Sequence, residues 1–241
     1  MCGIAGIINP RTSIQQLKEP LASMLKSLKH RGPEDEGMYL ERGVGLGHRR
    51  LSIIDIRGGH QPLANEDGTL NLVTNGEIYN YRELRKDLIT KGHIFKTKSD
   101  SEVILHLYEE KGENCVKYLN GMFAVALWDS KKRKLLLARD RFGIKPLYIA
   151  ISEDLICFAS ELTAIIQSGL IKEKVDPLAL YSYLAFSYVP GPLSIIKGVK
   201  KIQPAERVII QNGAIRSDIY WTPQEMTVSR KRSLAVKELV G

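Results

Sequence analysis

Four short apolar runs constrain this chain most: Met122 to Trp128, Leu135 to Arg139, Pro146 to Ile151 and Leu155 to Ala159 follow one another closely, with no helical pattern between them. Runs of this length bounded by turn residues read as β-strands, and the basic turn Lys131-Lys132-Arg133-Lys134 joins the first two. Further strands are expected over Cys2 to Ile8, Val44 to Asp55 and Leu70 to Thr74. Val208 to Gln211 and Ala214 to Trp221 flank Asn212-Gly213, a dipeptide that supplies the two positive φ angles of a hairpin turn.

Helices are fewer. Leu17, Leu21, Met24, Leu25 and Leu28 recur at helical spacing within Ile14 to Leu28, and the Gly- and acid-rich run His30 to Gly37 follows as a loop. Tyr81 to Lys91 reads as a helix stopped by Gly92, and Ser99 to Glu102 matches the S-x-x-E box of another helix start. Asp176-Pro177 opens a helix that runs to about Phe186. Many strands with segregated helices, rather than strict alternation, argue for an α+β layered fold of mostly antiparallel sheets. The polar, basic segment 222–241 reads as a linker and the beginning of a further helix.

With 241 residues, 44% of them hydrophobic and 26% charged, the chain has enough apolar material for one sizeable core. No stretch reaches 18 uninterrupted apolar residues and no secretory leader pattern opens the sequence, so no membrane association and a cytoplasmic location are expected. Cys2, Cys115 and Cys157 are odd in number and lack C-x-x-C spacing, which suggests neither a disulfide framework nor a zinc site. The net charge of +8 is spread over short clusters such as Arg230-Lys231-Arg232, with no nucleic-acid-binding module beside them, so no nucleic acid is expected as a partner. Phosphate-loop, nucleophile-elbow and dinucleotide fingerprints are missing from the sequence.

A few residues stand out chemically. Removal of Met1 would leave Cys2 with a thiol and a free α-amine on one residue, a nucleophile beside its own base. By position alone Cys2 also fits a small buried hydrophobe. Asn75-Gly76-Glu77 sits where the Leu70 to Thr74 strand is expected to leave its sheet. An Asn side-chain N–H and a Gly backbone N–H can converge on a developing oxyanion, although the same dipeptide also makes plain turns. Arg50 lies among apolar strand residues, where a guanidinium needs a carboxylate from the protein or a ligand. Asp100 suits either a helix start or a ligand role. His30, His48 and His60 lack H-x-x-x-H spacing and read as surface or supporting residues, with no metal expected. Phe142, Ile144 and Leu147 read as core or interface rather than site.

MCGIAG at the start, HRGPEDEG at 30–37, HRRLSIID at 48–55, NGEIYN at 75–80, KSDSEVI at 98–104 and ARDRFGIKPLY at 138–148 together resemble the glutaminase domain of asparagine synthetase. The motifs occur in that family's order and spacing. The resemblance extends over about residues 2–221, which makes 1–221 the expected domain, and takes in FASEL at 158–162 and the later YLAFSYVPGP and IYW segments.

The resemblance implies an N-terminal nucleophile fold, a four-layer αββα sandwich of two antiparallel sheets between helices. It assigns Cys2 as nucleophile and Asn75 with Gly76 as oxyanion hole. Arg50 would bind the α-carboxylate of glutamine, Glu77 and Asp100 its α-amino group, and Leu51, Ser52, Ile53 and Ile54 would line the pocket through their backbone.

Glutamine hydrolysis through a thioester needs no cofactor. ATP and Mg belong to the synthetase half of such enzymes, which would be a domain in cis or a subunit in trans. A homo-oligomer is compatible with the sequence, and the last residues, Ser233 to Val240, resemble the start of the helix leading into a synthetase domain. Two other readings stand beside this one: a catalytically silent docking domain, and an amidotransferase subunit serving a different acceptor.

Overall fold

The computed structural model describes residues 1–52, 55 and 58–223, so Ile53, Ile54 and the segment 224–241 lie outside the described residues. In chain order the elements are β1 (Gly3–Ile8), α1 (Ile14–Ser27), β2 (Asp35–Glu41), β3 (Val44–Arg50), β4 (Leu63–Ala64), β5 (Leu70–Ile78), α2 (Tyr81–Thr90) and α3 (Val103–Lys111). A 3-10 turn over Gly112–Tyr118 leads to β6 (Gly121–Asp129), β7 (Lys134–Arg139), β8 (Tyr148–Ser152) and β9 (Leu155–Ala159). Then come α4 (Leu162–Gln167), α5 (Pro177–Phe186), β10 (Val199–Lys201), β11 (Glu206–Gln211) and β12 (Ala214–Ile219).

The strands form two sheets with antiparallel pairing throughout, one in the order β10-β8-β9-β1-β3-β2 and the other β12-β11-β7-β6-β5-β4. Side chains alternate between the two faces of a strand, so each strand contributes to two different cores. Ile4, Ile8, Val44 and Leu46 of the first sheet pack with Val73, Ala124, Ala126 and Leu137 of the second, which makes the inter-sheet layer. The opposite face of the first sheet, with Ala5 and Ile7, receives Leu17, Leu21, Met24 and Leu25 of α1 and Ala164 and Ile165 of α4. Leu70, Leu72 and Ile78 on the outer face of the second sheet meet Leu88 of α2 and Ile104, Leu105 and Tyr108 of α3. The result is the expected four-layer αββα sandwich. Among the described residues no helix is long and apolar enough to cross a membrane.

Several boundaries differ from the sequence expectation, each for a tertiary reason. The loop expected over 30–37 ends at Asp35, because β2 joins the open edge of β3 with Asp35 opposite Arg50. Strand β3 stops at Arg50 rather than Asp55: Leu51 and Ser52 lie outside any strand, and the Ser52 N–H is taken by the Glu34 side chain instead of a neighbouring strand. Strand β5 does not end at Thr74. It runs through Asn75 and Gly76 to Ile78, paired with β6 throughout, so the Asn-Gly pair is in a strand and not in a turn.

The expected capping box at Ser99 to Glu102 does not form, and α3 begins at Val103. The Glu102 carboxylate instead accepts the Lys96 and Thr97 backbone N–H groups at 2.6 and 2.8 Å, a longer-range capture than the local box. Asp176 does cap α5, its side chain accepting from Leu178 and Ala179 N–H. The 212–213 hairpin forms with φ of 51° and 80°, as the Asn-Gly turn requires. Leu147 is core, whereas Phe142 and Ile144 are exposed. The basic turn after β6 is paired with acids, Lys131 with Asp67 and Lys134 with Glu113.

Candidate active site

Strand parity explains how distant residues meet. On β3 the side chains that share a face with Val44 and Leu46 are His48 and Arg50; on β5 those that share a face with Val73 are Asn75 and Glu77. Continuing β1 back one step from Gly3 puts Cys2 on the face of Ile4 and Ile8. All four functional side chains therefore face the space between the sheets, at the end where apolar packing stops. The β1–β3 register, with Gly3 opposite Arg49, carries Cys2 to the level of Arg50 and Leu51.

A cleft of about 180 Å³ opens there. Its lining includes Cys2, Arg50, Leu51, Asn75, Gly76, Glu77 and Asp100, so the structure brings together seven of the residues singled out above. Ser52 is not among the lining residues, and its N–H is taken by Glu34 at 2.8 Å. Ile53 and Ile54 lie outside the described residues. Met1, Gly59, Gln61, Thr74, Ser99, Ser101 and Lys145 complete the walls.

Cys2 is half-buried and its sulfur lies 3.4 Å from the Leu51 N–H, which donates to it, and 3.5 Å from the Leu51 carbonyl, to which the thiol donates. The Cys2 carbonyl accepts from Arg31 Nε at 3.0 Å, and Arg31 is held in turn by Glu161 at 2.9 Å. This anchoring pair was not singled out in the sequence, although both members lie in quoted motifs. With Met1 in place the nitrogen of Cys2 is a peptide amide.

Asn75 is 1% exposed, and its Nδ2 is buried without a hydrogen-bond partner. A buried amide donor left open is costly unless something else accepts from it. At Gly76 β5 and β6 approach closely: a Cβ would come within 2.2 Å of the Met122 carbonyl oxygen. Strand β4 pairs only with Leu72 and Asn71, so beyond it β5 has an open edge. Along that edge the Thr74 N–H is capped by Gln61 Oε1 and the Ile78 N–H by Asp100 Oδ2, both at 2.7 Å. Alternation along an antiparallel ladder directs the Gly76 N–H to the same edge, between those two capped donors.

Charge is divided across the cleft. Arg50, 6% exposed, donates to the Asp55 carbonyl at 2.6 Å, which sets the direction of its guanidinium. Asp100, 4% exposed, has its carboxyl pKa pushed up by burial and by the charge of Glu77, against the pull of the Ile78 N–H. Of the surface and supporting roles expected for the histidines, His48 takes the supporting one. It is 1% exposed, burial pushes its pKa down to about 3, and its Nε2 stands 3.1 Å from the Thr74 carbonyl. A neutral ring facing a carbonyl must carry its proton on Nε2, so His48 ties β3 to β5 directly beneath the cleft. His30 and His60 are exposed and pair with Glu161 and Asp35.

A cation on one wall, carboxylates on another, a thiol between them and two donors aimed at one space suit a small zwitterion with a reactive carbonyl. Comparisons with known proteins agree. A family model described as glutamine amidotransferase domain matches residues 1–221. An asparagine synthetase (glutamine-hydrolysing) of Bacillus subtilis is 38% identical over 97% of this chain and 40% of its own length. A probable asparagine synthetase of Dictyostelium discoideum is 46% identical over 89% of this chain and 41% of its own. The chain thus spans about two fifths of the length of these curated relatives. Among solved structures, the glutamine phosphoribosylpyrophosphate amidotransferase of B. subtilis superposes with a TM-score of 0.66 at 22% identity, over 92% of this chain and 50% of that one, a likeness of fold alone.

Proposed function

This chain belongs to the glutamine amidotransferase domain family, and from that premise we propose that Cys2 is the nucleophile of a glutaminase whose ammonia serves asparagine synthesis. Once Met1 is removed, the Cys2 α-amine takes the thiol proton, directly or through a water. The sulfur attacks the δ-carbonyl carbon of glutamine and the carbonyl electron pair moves to oxygen, where Asn75 Nδ2–H and Gly76 N–H receive it. Collapse of the tetrahedral intermediate expels ammonia, which leaves with the proton held on the α-amine. Water then cleaves the glutamyl thioester to glutamate and restores the thiol.

The observation that carries this reading is the buried Asn75 Nδ2, which has no hydrogen-bond partner among the described residues and belongs to a residue lining the same cleft as Cys2. Arg50 would receive the α-carboxylate of glutamine, and Glu77 with Asp100 its α-ammonium. Leu51 contributes the backbone donor at the sulfur. Ser52, whose N–H is already engaged, would support the wall rather than touch substrate. None of these steps calls for a metal or organic cofactor; ATP and Mg would be needed by a synthetase reaction elsewhere.

The curated relatives are longer asparagine synthetases, which supports a synthetase domain or subunit as the recipient of ammonia. Helix α5 offers a surface for that contact, because Leu178, Tyr181, Leu184 and Phe186 are all exposed on it. A cytosolic setting keeps the Cys2 thiol reduced. The test is glutamate release from glutamine by the purified chain, with intact mass measured on the same sample. Release by Met1-free protein is expected. Met1-free protein that binds glutamine but releases no glutamate, with or without a synthetase partner, would make the chain a silent docking domain.

A further inference from the structure

A second cluster of chemically competent side chains lies away from the cleft, on the helical layer over the second sheet. Glu66 follows β4, His93 follows α2, and His106 and Glu109 stand one turn apart on α3. One ligand atom from each lies within 4.8 Å of all the others. Three segments distant in sequence therefore converge on a single point.

The separations are those of a coordination sphere. Four ligands around a zinc-like ion with bonds of about 2.0–2.1 Å stand about 3.3 Å from one another. Here His93 Nδ1 is 3.4 Å from Glu109 Oε2, and His106 Nδ1 is 2.8 Å from the same oxygen. His106 Nδ1 is 3.7 Å from Glu66 Oε2.

The outer surroundings point the same way. Both imidazoles turn Nδ1 inward; His93 presents Nε2 to a further carboxylate, Glu110 at 3.2 Å, and His106 Nε2 stands 3.9 Å from Glu102, beyond hydrogen-bond distance. Metal-bound histidines are commonly oriented by such an outer carboxylate. The remaining atoms of the inner carboxylates are fixed by neutral donors, since Asn65 Nδ2 holds Glu109 Oε1 and the Ile94 N–H holds Glu66 Oε1. His106 is 1% exposed and its Nε2 has no hydrogen-bond partner within reach.

Charge makes the case for a cation. Four carboxylates, Glu66, Glu102, Glu109 and Glu110, surround two imidazoles, and the flanking cations are directed elsewhere. Lys96 Nζ donates to the Asn65 carbonyl, and Arg85 stands over the Phe95 ring. One dication would offset half of the formal charge of those four carboxylates.

We propose that Glu66, His93, His106 and Glu109 form a structural site for one divalent transition metal of the zinc type, tying the turn after β4 and the segment after α2 to helix α3. Imidazole and carboxylate ligands suit such ions, and four protein ligands make a closed site rather than a catalytic one. The clamp spans residues 93–109 and so encloses Asp100, whose carboxylate lines the cleft. Its outer ligand Glu102 holds the Lys96 and Thr97 N–H groups, which fixes the loop that delivers Asp100.

The test is calorimetric titration of the chelator-stripped full chain with Zn²⁺, followed by Co²⁺ absorption and thermal melts. One equivalent per chain is expected, with the visible bands of four-coordinate Co²⁺ and a rise in Tm. His93→Ala and Glu109→Gln should each weaken Zn²⁺ binding at least tenfold, and Glu110→Gln by about 10–100-fold, as for an outer partner. The partly exposed His93 keeps the test valid if buried His106 variants fail to fold. Absence of stoichiometric binding would overturn the proposal and leave a proton-filled ion-pair network. So would Zn²⁺ affinity unchanged in His93→Ala, which would mark adventitious binding elsewhere.

Discussion

The Asp100 carboxylate accepts the Ile78 backbone N–H at 2.7 Å, so the loop before α3 is pinned to the open edge of β5 one strand step beyond Gly76. The same carboxylate is buried, and its pKa lies above the ordinary 3.8 because of that burial and of Glu77. A carboxyl whose folded pKa is raised contributes its stability at low pH and loses it as pH rises through the folded value. An arriving ammonium reverses that loss. The Michaelis constant for glutamine should therefore rise as pH falls through the Asp100 pKa, where the protonated group no longer holds the α-amine. Asp100→Asn should raise the constant at neutral pH, flatten this dependence, and leave the melting temperature equal or higher, since the amide oxygen still accepts from Ile78. A wild-type pH profile retained in the variant would remove Asp100 from the substrate site.

Cys2→Ala should lower glutamate release by about 10³-fold or more, as loss of a nucleophile does. The fold should survive, because among the described residues the half-buried thiol makes two long hydrogen bonds, both with Leu51. Protein retaining Met1 should be equally inactive, since its Cys2 nitrogen cannot accept a proton. Activity measured against the intact-mass fraction lacking Met1 checks this, and turnover by Met1-bearing protein would dismiss the α-amine as base.

Asn75→Ala should reduce kcat by about 10²–10³ with little change in the Michaelis constant, the pattern of a donor used only in the transition state. Asn75 Nδ2 has no protein partner to lose, so stability should change less than for a typical buried polar deletion. Gly76→Ala is the contrast. Its Cβ would collide with the Met122 carbonyl, so it should lower both activity and stability, the latter by about 1–3 kcal/mol. Urea titration of the two variants separates the cases.

Much of the site follows from strand arithmetic. Cys2 and Arg50 share faces with core residues of strands expected from the sequence, and the antiparallel β1–β3 pairing then brings Cys2 beside Leu51; Asn75 and Glu77 join that face only because β5 runs on to Ile78. The legible part ends where contacts are not local. Ser99 to Glu102 has the letters of a capping box, but Glu102 is claimed by Lys96 and Thr97, and helix α3 starts later. His48 sits between polar and glycine residues, yet the second sheet closes over it. Arg31 acts through the Cys2 carbonyl, a backbone atom that no side-chain pattern betrays. Glu66, His93, His106 and Glu109 come from three separate segments, so only the packing of α3 on the second sheet reveals them as neighbours.

His48 gives the acid limit of the fold. Its folded pKa, lowered by burial to about 3, lies far below the ordinary 6.5. A base held neutral in the fold contributes stability that is full above 6.5 and is lost as pH falls toward 3, because the unfolded chain takes up the proton first. Across that window the loss should approach about 1.4 kcal/mol per pH unit from this residue alone. His48→Gln, which keeps a donor for the Thr74 carbonyl, should be less stable at pH 7.5 through poorer packing but should lose stability more slowly on acidification. Chemical denaturation of both proteins between pH 7.5 and 4.5 measures the two slopes. Equal slopes would mean that another group governs the acid transition and that His48 is protonated in the folded chain.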